Sequence, residues 1–167
     1  MYDELTEVDI AKMQEEIDHR FKVLRPEMID DVKVAREFGD LSENFEYKAA
    51  KREKNRNDSR IKYLENMIKT AKVISGGSKD GEIGLFDIVE IYFEDEDELQ
   101  KIQIVTTLRQ NALKGLISKE SPVGKAVMGH KVGDRVRIEV NSDYGYSVVI
   151  RSVEKGTDDE SLPISLF

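Results

Sequence analysis

Apolar side chains recur at helical spacing through the first half of the chain. Ile10, Met13, Ile17, Phe21, Leu24, Met28, Ala35 and Phe38 advance by 3, 4, 4, 3, 4, 7 and 3 residues. This is the seam of an antiparallel coiled coil or helical hairpin. After an interruption, Ala50, Ile61, Leu64, Ile68 and Ala71 resume a similar spacing. Asn57 falls on the same seam, where a polar residue can fix register at some loss of stability. Pro26 lies inside the first helical segment and removes a backbone donor, so a kink or split is expected near Arg25. Gly39 supplies a stop. A helix from Thr6 to Phe38 would be roughly 50 Å long at 1.5 Å per residue, so residues 1–75 are expected to form a rod with the interruption at its tip.

The grammar then changes. Residues 76–81 are glycine-rich and read as a linker. Beyond them, Asp87–Phe93, Lys101–Val105, Arg135–Val140 and Ser147–Val153 have the alternation or apolar content of strands. Glu94–Glu98 and Asn141–Gly145 read as the turns that join them in pairs. Pro122–Met128 reads as a short helix, with Ser121 as N-cap and Pro122 at its first position. The expected fold class is therefore α+β: a helical hairpin over 1–75, a small antiparallel sheet domain with one short helix over 82–155, and a polar tail over 156–167. The tail is expected to trail free rather than dock.

Composition narrows the chemistry. The chain holds 167 residues, no cysteine and two histidines, His19 and His130, far apart. Thiolate zinc sites and disulfides are excluded, and a histidine-based metal site is not expected. No apolar run approaches a membrane span, and the acidic N-terminus lacks the pattern of a secretory signal; a cytoplasmic protein without membrane contact is expected. A formal net charge of -8 argues against non-specific duplex binding through the overall field. Residues Lys48 to Lys62, however, carry seven bases against Glu53 and Asp58. An acidic chain thus has a basic band just behind an acidic tip.

The tip, Asp40-Leu41-Ser42-Glu43, has two readings. One is a capping box: Asp40 accepts from the first backbone donors of the second helix and Glu43 reaches back to the cap. The other is a metal clasp, in which two carboxylates at an exposed tip share a hard cation. Magnesium asks for six oxygen ligands, so such a clasp works only if another macromolecule completes the site. The basic band is either a solvated helix face or a track that holds a nucleic-acid strand by its phosphates. Local spacing leaves both pairs of readings open.

The stretch RPEMIDDVKVAREFGDLSENFEYKAAK, Arg25 to Lys51, resembles the coiled-coil tip of the bacterial Gre transcript-cleavage factors, the GreA/GreB family. ISKESPVGKAVMGHKVGD, Ile117 to Asp134, is similar to their C-terminal domain. The resemblance implies an FKBP-like sheet domain docked at the rim of the RNA polymerase secondary channel, and a coiled coil reaching the active centre. Asp40 and Glu43 match the family's catalytic acids, which share the second magnesium ion of the polymerase. Arg36, Lys51 and Arg52 match the basic patch facing the 3′ end of nascent RNA. Ser121 and Pro122 match the segment that docks on the polymerase. What this implies is a monomeric helper, not an enzyme by itself, that stimulates cleavage of backtracked RNA.

Three other functions compete. A Gre-like inhibitor would fill the same channel without promoting cleavage, and the intact Asp40 and Glu43 argue against it. A prolyl isomerase needs a deep aromatic pocket, and the chain has no tryptophan. A plain coiled-coil adaptor would tolerate any change at the tip.

Overall fold

The computed structural model describes residues 3–39, 43–76 and 79–165. They divide into two compact units, residues 10–71 and residues 3–9 with 72–165. The division falls at Ala71/Lys72, and the first few residues belong with the sheet.

The helical unit contains most of α1 (Glu7–His19), a π-helical turn (Arg20–Leu24), α2 (Arg25–Arg36) and α3 (Phe45–Thr70). The π turn is the local answer to Pro26. Proline cannot donate, and its ring crowds the carbonyl four residues back. Widening the turn relieves that crowding, and the Arg25 amide donates to the Arg20 carbonyl five residues back. The helix therefore continues through the proline.

The extra residue in that turn alters the seam. Met13, Ile17, Ala35, Ile61 and Leu64 are buried as their spacing requires. Phe21 is rotated outward, and Phe38 lies beyond the end of α2; both are exposed, which corrects their placement on the seam. Polar groups fill the middle instead. The Asn57 side chain donates to the Arg20 carbonyl at 3.2 Å and accepts from the Arg20 guanidinium at 2.9 Å. This buried, two-way pairing admits one register. One turn further on, Arg60 holds Glu16 at 2.7 Å, and Arg20 joins the same carboxylate at 3.2 Å.

Burial raises the Glu16 pKa, but hydrogen bonds and charge from Arg60 and then Arg20 outweigh it and hold the carboxyl below its ordinary 4.5. The stability from this ion pair is present above the ordinary value and is lost as pH falls through the lowered one. Glu16→Gln should flatten the acid side of the stability profile, read as the thermal midpoint between about pH 3 and pH 5. An unchanged acid limb would contradict the pairing.

In the sheet unit, a short parallel pair joins β1 (Glu4–Leu5) to β2 (Lys72–Val73). A five-stranded sheet follows, built from β3 (Ile88–Phe93), β4 (Glu98–Val105), β5 (Leu116–Ser118), β6 (Arg135–Glu139) and β7 (Gly145–Glu154), in the order β5-β4-β3-β7-β6. The two expected strand pairs are present, but β5 lies parallel to β4, so the sheet is mixed rather than antiparallel. At three residues, β5 is too short to show alternation. Val89, Ile91, Ile104, Ile138, Val148 and Ile150 form the core with Phe86 and Val127 of α4 (Pro122–Val127).

Residues 156–165 do not trail free, contrary to the expectation for the tail. Ser165 donates its amide to the Leu108 carbonyl at 2.6 Å, and Leu162 packs against the core. The attachment centres on Arg109, which is fully buried. Its Nε meets Asp9 at 2.5 Å, one Nη meets Asp158 at 2.6 Å, and the other donates to the Asp159 carbonyl at 3.1 Å. Phe86 lies under the guanidinium at 5.1 Å. Thr6 and Asp9 cap each other's backbone at the start of α1. One buried cation thus ties the N-terminal segment and the tail to the sheet.

Candidate functional site

The closed end of the hairpin is built by Asn44. It precedes α3 with extended backbone angles, and its Oδ1 accepts from the Tyr47 amide at 3.0 Å. Its Nδ2 donates to the Ala35 carbonyl at the end of α2, at 2.6 Å. The residue therefore caps one helix and closes the other. This corrects the capping box: α3 begins at Phe45, four residues after the position that box needs, and Asp40 and Glu43 both lie before the cap. Asparagine is among the strongest N-caps, and its second hydrogen bond across the hairpin favours it over its neighbours. Asn44→Ala should cost about 1 kcal/mol of hairpin stability, measured by chemical denaturation; no change would mean that another residue closes the end.

Glu43 stands exposed on the turn before the cap. Asp40 lies outside the described residues. Gly39 has φ +125°, a conformation that favours glycine, with open space around its Cα. Among the described residues, no three His, Cys, Asp or Glu side chains gather where they could hold an ion together. Two carboxylates fit the chemistry of magnesium as part of an octahedral set and leave most of its positions to other ligands.

Behind the tip, Tyr47 brings Arg36 and Lys51 together. The Arg36 guanidinium lies 5.4 Å from the centre of the Tyr47 ring and the Lys51 ammonium 5.9 Å from it. The Arg36 hydrogen bond holds the phenol below the ordinary tyrosine range, against burial and with help from Lys51. The two cations that sequence alone placed on separate helices thus share one aromatic ring. Tyr47, which the sequence pattern did not single out, is the organising residue. Its signal was present as a four-residue spacing to Lys51 on one helix face. Lys48 lies 5.8 Å from the Phe45 ring in the same way. Arg52 lines a shallow open groove along α3 with Lys48, Lys51 and Arg56, and is not drawn to Tyr47 as the other two are.

Ser121 and Pro122 sit at the corner that opens α4 in the sheet unit. Ser121 Oγ accepts from the Gly124 amide at 3.0 Å and donates to the Ser118 carbonyl at 2.7 Å. Its polar atoms are thus engaged in the corner itself, while Pro122 is exposed. The corner is tight: a Cβ on Gly124 would stand 2.1 Å from the Ser118 carbonyl oxygen. Next to Pro122, Val123 borders an open cavity of about 300 Å³ that is also lined by Phe93, Asp95, Glu96, Tyr144 and Tyr146. Among the described residues, no helix is long and apolar enough to cross a membrane.

Residues 4–73 match the family model described as transcription elongation factor, N-terminal, and residues 78–155 match that of transcription elongation factor, GreA/GreB, C-term. The transcription elongation factor GreA of Mesoplasma florum is 37% identical, over 86% of this chain and 94% of its own length. That of Thermoanaerobacter pseudethanolicus is 41% identical, over 81% and 87%. A solved structure described as the transcription factor Gfh1 is 26% identical and covers 92% of this chain and 97% of its own, with a TM-score of 0.45.

Proposed function

The chain belongs to the GreA/GreB family of transcription elongation factors, and on that premise we propose that it acts on bacterial RNA polymerase through the secondary channel. The hairpin enters toward the active centre, and the sheet domain, FKBP-like in this reading, docks at the rim by the Ser121–Pro122 corner. One observation carries the proposal. Exposed Glu43 stands at the closed end of the hairpin, on the same tip as a cluster in which Arg36 and Lys51 share Tyr47. Such an arrangement suits an RNA end: cations for the backbone, and a carboxylate where the chain is to be cut.

In its sharper form the proposal is that the protein stimulates cleavage of backtracked RNA. Asp40 and Glu43 offer two oxygen donors to the second magnesium ion of the polymerase, and the polymerase supplies the rest. A magnesium ion held there would supply Lewis-acid stabilisation of charge on the scissile phosphate. The residues of this chain do the remainder. Glu43 is poised to orient a water molecule or take its proton. Arg36, Lys51 and Arg52 hold the RNA backbone without reading its sequence. Because Asn44 is the N-cap of α3, the helix starts after both acids in the chain.

A second reading is a modulator that occupies the channel without promoting cleavage. It shares every feature except the use made of the two acids, and family membership supports both alike. Elongation complexes of purified polymerase, halted and backtracked, separate them. Faster RNA shortening on adding the protein supports the first. Slowed elongation without shortening supports the second. No effect of either kind would contradict action in the channel.

A further inference from the structure

Phe45 is the first residue of α3 and is 81% exposed. Single exposed apolar residues are ordinary on a protein surface, so exposure alone assigns nothing. Its surroundings do. Lys48 lies over the ring at 5.8 Å, one turn along the helix. Lys51 and Arg52 follow along the groove on α3. Asn44, which fixes where α3 begins, is itself pinned to α2, so the ring is mounted on a rigid element rather than a loose turn. Phe38, 70% exposed, is a second open ring on the same hairpin, just beyond α2.

We propose that Phe45 is a stacking platform for a base of single-stranded RNA, with Lys48 and Lys51 taking the adjoining phosphates. The inference rests on the reading that this tip meets RNA, and it adds a residue and a mode of contact to it. Single-strand binding sites combine aromatic faces for the bases with cations that follow the backbone. A purely apolar protein partner would have to desolvate Lys48 and Lys51 beside the ring with nothing to balance them. An RNA strand satisfies ring and cations together.

The chain contains no tryptophan, so Phe45→Trp places a single fluorescent reporter at the site in the full-length protein. The probe is a uridylate RNA of about eight nucleotides, within the usual span of single-strand sites. An abasic ribose-phosphate chain of the same length is the control. The RNA should quench the tryptophan and the abasic chain should not, although both bind. Phe45→Ala should weaken RNA binding about tenfold, the usual effect of losing one stacked base, and leave the abasic chain unaffected. Phe45→Leu should bind as poorly as Phe45→Ala. Equal quenching by both probes, or none by RNA, overturns the proposal. So does full binding by Phe45→Leu, which would mark the ring as an apolar contact for protein. The polymerase reading is measured separately by RNA shortening, so a wild-type chain that acts on polymerase while Phe45→Trp stays unquenched loses only the stacking role.

Discussion

Asp40→Asn combined with Glu43→Gln should reduce stimulated RNA cleavage about a hundredfold or more, toward the polymerase's own rate, while binding to the polymerase is retained. Both substitutions keep size and shape and remove only charge. The structure explains why the fold should survive them. At the start of α3 the Asn44 side chain accepts from the Tyr47 amide and donates to the Ala35 carbonyl, so the N-cap is Asn44 rather than either acid. The thermal midpoint should therefore stay within about 2 °C of the parent, as for other surface changes. Had the acids formed the capping box, the same substitutions would have loosened the hairpin, and lost cleavage could not be told from lost structure. Cleavage that persists in the double variant would remove the acids from the mechanism.

A second large effect is expected far from the tip. Arg109→Ala should destabilise the sheet unit by about 3–5 kcal/mol, the range for breaking a buried ion pair on one side. It leaves Asp9 buried without its cation and removes the anchor of the tail at Asp158 and Asp159. Arg109→Met with Asp9→Asn should recover a good part of that loss. The charge is gone in that pair, and the carboxamide oxygen that replaces the Asp9 carboxylate can still accept from the Thr6 amide, as Asp9 does now. Chemical denaturation monitored on the sheet reads both. A single substitution costing less than about 1 kcal/mol would mean that the network contributes no more than a surface pair.

The parts of the fold visible in the sequence were those set by local pattern. Met13, Ile17, Ile61 and Leu64 are buried where helical spacing puts them, Asn57 is the polar seam residue, and Ser121 caps the helix that Pro122 opens. What escaped was decided between distant residues. Proline predicts trouble near Arg25, but not that the helix would absorb it as a π turn and rotate Phe21 outward. The tip sequence points to Asp40 as the cap, and the residue that caps α3 is Asn44, which also reaches Ala35 across the hairpin. Arginine is rarely buried, so nothing local announced Arg109 as the anchor of the tail; its partners lie 100 and 50 residues away in sequence. The candidate site was legible as a list of charges. Its organisation around Tyr47 depended on two helices meeting.

The central claim is that this tip reaches the end of the RNA inside the polymerase, whichever way it then acts. The chain has no cysteine, so Glu43→Cys carries one photoreactive probe at the turn. In halted, backtracked complexes, illumination should join that probe to the 3′-terminal segment of the RNA, and excess unlabelled protein should suppress the product. Crosslinks confined to outer surfaces of the polymerase, or equally strong in complexes that have not backtracked, would contradict the account.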